Sequence, residues 1–224
     1  MVKVILSGYG KMGHMIEKVL LEKGIPLVEA SEDICATDPK VAAESVCIDF
    51  TMPESFRANY KFLAEHFKAV VVGTTGWNDI ADEVKAYFEK CGTPMIYASN
   101  FSIGVNVFFA AVRRASELLK GQPYQPYIEE KHHIHKLDAP SGTAKSLGAL
   151  VEQGMGINPD IVAVRAGEIP GIHTVSFEGV CDRLTFTHEA FSREGFARGA
   201  VEAALMTEGL QGVHEFSELF LKKI

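Results

Sequence analysis

The chain has 224 residues, 47% hydrophobic and 23% charged, with a formal net charge of −7; that suits two small domains with real cores and excludes a disordered chain. The acidic balance excludes a general nucleic-acid or anionic-membrane surface, because phosphate-backbone binding needs clustered Lys and Arg. No stretch approaches the roughly 18 to 20 apolar residues of a membrane helix, and MVKVILSGYG is too short in apolar residues for a signal peptide, so a cytoplasmic protein is expected.

Val2 to Leu6 is β-branched and apolar, the pattern of a parallel strand buried on both faces, and Lys11 to Lys23 has helical spacing through Met12, Ile16, Val19 and Leu20. Cys35, Cys47, Cys91 and Cys181 show no CxxC spacing and read as reduced, mostly structural thiols. Further strands are expected at Pro26 to Ala30, Val46 to Phe50, Ala69 to Val72 and Pro94 to Ala98, with helices at Glu54 to His66 and Asn78 to Lys90. This alternation predicts a Rossmann-type, doubly wound parallel α/β sheet.

After Asn100 the pattern changes. A helix over Val105 to Leu119 is followed by strands at Tyr127 to His135, Ile161 to Glu168, Gly171 to Glu178 and Asp182 to Ala190, with a helix over Ala144 to Gln153. These predict a second α+β domain on an open mixed sheet. A last helix over Ala197 to Glu208 returns to the first lobe, so the expected domains are residues 1–101 with 199–224, and 102–198.

Gly8-Tyr9-Gly10-Lys11-Met12-Gly13 fits G-x-G-x-x-G between a strand and a helix. Glycines there let the backbone turn tightly against a pyrophosphate, whose charge the helix N-terminus favours. An acidic residue about 20 positions on would bind the ribose hydroxyls; Glu32 is the candidate and Asp33 its rival. No arginine follows to hold a 2′-phosphate, although Lys11 or Lys40 could help, so NADH and NADPH both stay open. Gly73-Thr74-Thr75-Gly76 and Ala98-Ser99-Asn100-Phe101 end two further strands, where doubly wound sheets bind ligands. Asp49 is read as a helix-start or loop carboxylate and is assigned no chemistry.

The segment Glu129 to Ser146, EEKHHIHKLDAPSGTAKS, gathers His132, His133 and His135 with Lys131 and Lys136. If Tyr127 to His135 is extended, His133 and His135 share one face and His132 the other. Three zinc ligands then do not converge, and Lys136 opposes a divalent ion, so no metal is expected. Imidazole titrates near neutrality and lysine offers a cation, a pairing suited to proton transfer. Ser-Gly-Thr opens a helix whose N–H groups can grip a carboxylate. The segment reads as an anion-binding loop beside a proton donor.

The run Glu130 to Ala144 resembles the signature of the dihydrodipicolinate reductase family, the 4-hydroxy-tetrahydrodipicolinate reductases of lysine and diaminopimelate biosynthesis. GYGKMG, IDFT, VVGTTG, SNFSIGVN, GIHTVSF and LTFTHEAFSREGFARGA follow in the family's order, so the resemblance covers almost the whole chain. The glycine turn is one residue shorter than in many members. The resemblance implies His132 as the acid/base histidine and Lys136 as a second proton donor. It implies His133, Gly142 and Thr143 as holders of the substrate's carboxylates. Gly8 to Gly13, Gly73 to Thr75 and Ala98 to Phe101 would contact NADH or NADPH. It also implies a small-molecule dicarboxylate substrate and a homotetramer.

Overall fold

Val4–Ser7 (β1) is buried at every position, because helices cover both faces of its sheet. In the computed structural model, which describes residues 1–222, β1 is followed by Lys11–Lys23 (α1), Leu27–Ser31 (β2), Pro39–Ala42 (α2), Val46–Asp49 (β3), Pro53–His66 (α3), Ala69–Val72 (β4), Ala81–Cys91 (α4) and Met95–Tyr97 (β5). Next come Ile103–Leu118 (α5), Gln125–His132 (β6), Gly142–Met155 (α6), Asp160–Arg165 (β7), Ile172–Glu178 (β8) and Arg183–Glu189 (β9). Glu194–Met206 (α7), Val213–Glu215 (β10) and Phe216–Lys222 (α8) close the described chain.

Two units result, Met1–Ser102 with the segment from Glu194 onward, and Ile103–Arg193. The first is the Rossmann-type unit. Its sheet has the order β10-β5-β4-β3-β1-β2, with every pairing parallel. Side chains alternate across it. Val4, Leu6, Ile48, Val71 and Ile96 pack against Ile16, Val19 and Leu20 of α1 and the alanine-rich α7. Ile5, Cys47, Val70 and Val72 pack against Phe56, Tyr60 and Leu63 of α3 and Val84 and Phe88 of α4. The strand order reverses between β1 and β3, which opens a crevice at their carboxyl ends, the usual ligand site in such sheets.

The second unit carries a mixed sheet of order β7-β6-β8-β9, parallel between β6 and β7 and antiparallel elsewhere. Phe108 and Val112 of α5 and Leu147 and Val151 of α6 cover one face through Ile128, Val175 and Phe177. The alternate residues point away from both helices, and there Val162 is 51% exposed.

Three local expectations need correction. β6 stops at His132 rather than His135, since the neighbouring β7 ends at Arg165 and β8 begins at Ile172, leaving no ladder to extend. The expected helix from Asn78 is a 3-10 turn, Asn78–Ile80, ahead of α4. Cys35, Cys91 and Cys181 are exposed, and only Cys47 is buried.

Candidate active site

The helix-covered face of β6 changes character along its length. Pro126 and Ile128 give way to Glu130 and His132, all buried on the same face. Register brings the partners. Glu130 lies opposite His173 of β8, His173 opposite His188 of β9, and His132 opposite Arg165 of β7. A polar cluster thus ends an apolar core.

Glu130 is fully buried. One oxygen accepts from Arg165 Nη2 at 2.7 Å and from the Ser141 N–H at 3.2 Å. The other accepts from Arg165 Nη1 at 3.0 Å and contacts His132 Nδ1. Burial alone would push its pKa up, but Arg165, His132 and the Ser141 N–H outweigh that and hold it below the usual carboxylate value. His132 is pushed the opposite way by burial, which lowers its pKa despite the opposing pull of Glu130, and Lys136 and Arg165 lower it further. Its ring meets that of His173 edge-on, with centroids 5.0 Å apart. Burial, then His132, lowers His173 to about 4. The neutral His173 Nε2 lies 3.1 Å from Ser141 Oγ.

Ser141 also starts α6. Its hydroxyl accepts from the Ala144 N–H at 3.2 Å, and its carbonyl receives Lys145 N–H at 3.0 Å. The N–H groups of Gly142 and Thr143 precede the first intrahelical bond, where a carboxylate is favoured. Lys136, on the loop between β6 and α6, donates to Asp138 Oδ1 at 2.7 Å. His133 Nδ1 is buried without a hydrogen-bond partner, and its ring lies 5.9 Å from that of the exposed His135. His135 faces Glu168 at 3.4 Å, apart from the cluster.

Three potential metal ligands do converge here, but they are Glu130, His132 and His173, with ligand atoms within 4.8 Å of one another. This differs from the histidine run that the spacing set aside. Both Glu130 oxygens already accept from a guanidinium, and that fixed cation competes with a divalent ion for them. The group reads as an ion-pair network.

In the first unit, Gly8 turns with φ +86°, and a Cβ on it would lie 2.6 Å from the Phe50 carbonyl oxygen. A Cβ on Gly13 would lie 2.7 Å from Gly8 O, whereas one on Gly10 meets nothing within 4 Å. Gly10 starts α1 without any side-chain cap. This open, uncapped helix end fits a pyrophosphate. Glu32 accepts from the Tyr9 N–H at 3.3 Å, which brings it to the turn, while Asp33 caps the 3-10 turn Ile34–Ala36 through Cys35 N–H. Lys11 is exposed and Met12 half-buried.

Gly73 sits so close to the Phe50 ring that a Cβ would overlap it at 2.1 Å. Thr75 and Ser99 are exposed. Thr74 turns inward instead, to the buried Asp49, which also accepts from Ser7 Oγ at 2.7 Å and from Thr51. Burial raises the Asp49 pKa and these hydrogen bonds draw it partly back. Ala98 is buried, Asn100 Oδ1 accepts from the Ser102 N–H at 2.9 Å, and the Phe101 ring packs on Phe50 and Phe216. Thr74 and Phe101 therefore offer backbone rather than side chain to a ligand.

Sequence reasoning missed Asp49, Arg165, His173 and Ser141 as members of these networks, and gave Glu130 no role. The even spacing of Glu130 and His132 within a strand was the available signal; the others arrive by register.

Residues 2–101 match the model of the dihydrodipicolinate reductase N-terminus, and residues 104–220 that of its C-terminus. A 4-hydroxy-tetrahydrodipicolinate reductase from Christiangramia forsetii is 36% identical over 230 residues, covering 96% of each chain. Another from Chromohalobacter salexigens is 40% identical over 190 residues, 75% of this chain and 70% of that one. A dipicolinate-bound dihydrodipicolinate reductase from Paenisporosarcina sp. TG-14 shares the fold with a TM-score of 0.81 at 20% identity, over 96% of this chain and 97% of that one. With both halves matched in order, the chain belongs to the dihydrodipicolinate reductase family.

Proposed function

We propose that the chain reduces 4-hydroxy-tetrahydrodipicolinate to tetrahydrodipicolinate with NADH or NADPH in lysine and diaminopimelate biosynthesis. Its 36% identity to a relative of that name across 96% of both chains carries the reading. The substrate is a small dicarboxylate, in keeping with the dipicolinate-bound neighbour.

Loss of water gives a conjugated imine dicarboxylate; addition of one hydride and one proton then gives the product and oxidised nicotinamide. A bound reduced nicotinamide supplies the hydride. Gly8, Tyr9, Gly10, Lys11, Met12 and Gly13, with Gly73, Thr74, Thr75 and Ala98 to Phe101, position the dinucleotide, and Glu32 takes its ribose hydroxyls. Gly142, Thr143 and His133 hold the carboxylates, supported by the uncommitted N–H groups at the start of α6 and the unpartnered His133 Nδ1. Lys136 stabilises or protonates the side of the substrate that accepts charge, and His132 completes the proton transfer.

A homotetramer in the cytoplasm is the proposed working form; no described helix is long and apolar enough to cross a membrane. His132→Ala and Lys136→Ala should each lower turnover by about 10² or more, measured as substrate-dependent loss of reduced-nicotinamide absorbance. Wild-type-like turnover in both would reject the assignment.

A further inference from the structure

Buried carboxylates need a reason. Glu130 lies fully buried in a sheet face, where an unpaired charge is strongly destabilising. An apolar residue would pack there at no such cost. What the carboxylate touches supplies the reason: the Nδ1 atom of His132.

We propose that Glu130 is a positioning residue, fixing the proton of His132 on Nδ1 so that Nε2 is the nitrogen that exchanges a proton with the substrate. This deepens the functional reading above and rests on His132 being the acid.

The chemistry is constrained. Arg165 Nη1 and Nη2 and the Ser141 N–H all donate to Glu130, so its oxygens act as acceptors and Nδ1 must be the donor. Every N–H of Arg165 is itself engaged. Nε donates to Lys136 O, Nη1 to Glu130 and Val164 O, and Nη2 to Glu130 and Asp138 O. One guanidinium thus fixes both the carboxylate behind His132 and the loop that carries Lys136.

Nε2 has been left room. Gly171, at the start of β8, lies close enough that a Cβ on it would sit 3.1 Å from His132 Nε2, and its φ of +153° is itself unusual for other residues. No side chain intervenes from that position.

The charges facing His132 are Glu130 on its own strand, Arg165 from β7, His173 from β8 and Lys136 from the following loop; Asp138 pairs with Lys136, and His188 lies beyond His173. Arg165 offsets the carboxylate, so Glu130 orients the ring without holding its proton so tightly that transfer stops. Losing Glu130 removes the one group that raises the His132 pKa. The alkaline limb of the turnover–pH profile should then move to lower pH in Glu130→Gln.

The test uses the full chain in three measurements. In the unsubstituted protein, ¹⁵N chemical shifts of the His132 ring near neutral pH should report the Nδ1–H tautomer; the Nε2–H tautomer would overturn the proposal. Glu130→Gln should lower kcat by about 10- to 10²-fold with little change in KM, and do much less, under about threefold, in a His132→Ala background. Equal losses in both backgrounds would overturn it, as a merely structural role predicts. If His132→Ala alone were neutral, the acid assignment itself would fall and take this inference with it. Should Glu130→Gln strand Arg165 and prevent folding, the paired Glu130→Gln/Arg165→Met variant removes both charges; because Arg165 also holds the Lys136 loop, it is read by the His132 ¹⁵N shifts, which should lose the Nδ1–H preference, and retention of the Nδ1–H tautomer would refute the role.

Discussion

Residues far apart in the chain set the chemistry of a single imidazole. Glu130 and His132 share a face because strand side chains repeat every two residues, so the spacing in EEKHH carried a signal for their pairing, although Glu130 was given no role. Arg165 and His173 were not legible, because nothing local to either announces the β6–β7 and β6–β8 registers that bring them in. Asp49 was passed over for the same reason: its partners Ser7 and Thr74 come from neighbouring strand ends. His173 carries a prediction of its own. With its pKa near 4 against 6.5 for a free imidazole, the unfolded chain binds the extra proton between those values, so stability falls as pH drops through that window. At about 1.4 kcal/mol per tenfold change in proton affinity, the loss is on the order of 3 kcal/mol. Urea unfolding at about pH 7 and about pH 4 should show it, and His173→Gln should diminish the difference, with His132 and His188, whose pKa values burial also lowers, keeping a share. An undiminished difference in that variant would assign the acid sensitivity elsewhere.

Elements with long periodic patterns were read closely. α1 falls on Lys11–Lys23 and β4 on Ala69–Val72 as the apolar spacing indicates. Short elements, α2 and β10, left no periodic trace and went unread. β6 was overextended because strand length depends on the neighbours available, not on the residues themselves. The turn between β1 and α1 separates folding from binding in a testable way. Gly8→Ala should destabilise the chain by about 1–3 kcal/mol, since a left-handed φ and a carbonyl 2.6 Å away both oppose a Cβ. Gly10→Ala meets open space, so its melting temperature should hold while NADH affinity drops about tenfold or more, because the new methyl occupies the pyrophosphate's approach. Thermal melts and fluorescence titration with NADH read the two effects. Unchanged NADH affinity in Gly10→Ala would remove this turn from the dinucleotide site.

For the whole molecule, a parallel sheet followed by a mixed one was legible from the change of pattern after Asn100, since strand–helix alternation and strand–strand succession have different spacing. The number of subunits was not: a homotetramer is what the family resemblance implies, and no strand pattern announces it. If the outer face of the second sheet holds subunits together, the native mass should be about four times 24.5 kDa, and Val162→Asp, placed on that face at 51% exposure, should reduce it. Light scattering behind gel filtration distinguishes the cases, and a monomeric native chain would end the tetramer proposal. Reduced-nicotinamide absorbance should be followed with each cofactor while dihydrodipicolinate synthase generates substrate in situ. Oxidation of NADH or NADPH should require the synthase and fall at least about 10²-fold in His132→Ala; no substrate-dependent oxidation with either cofactor would rule the proposed reaction out.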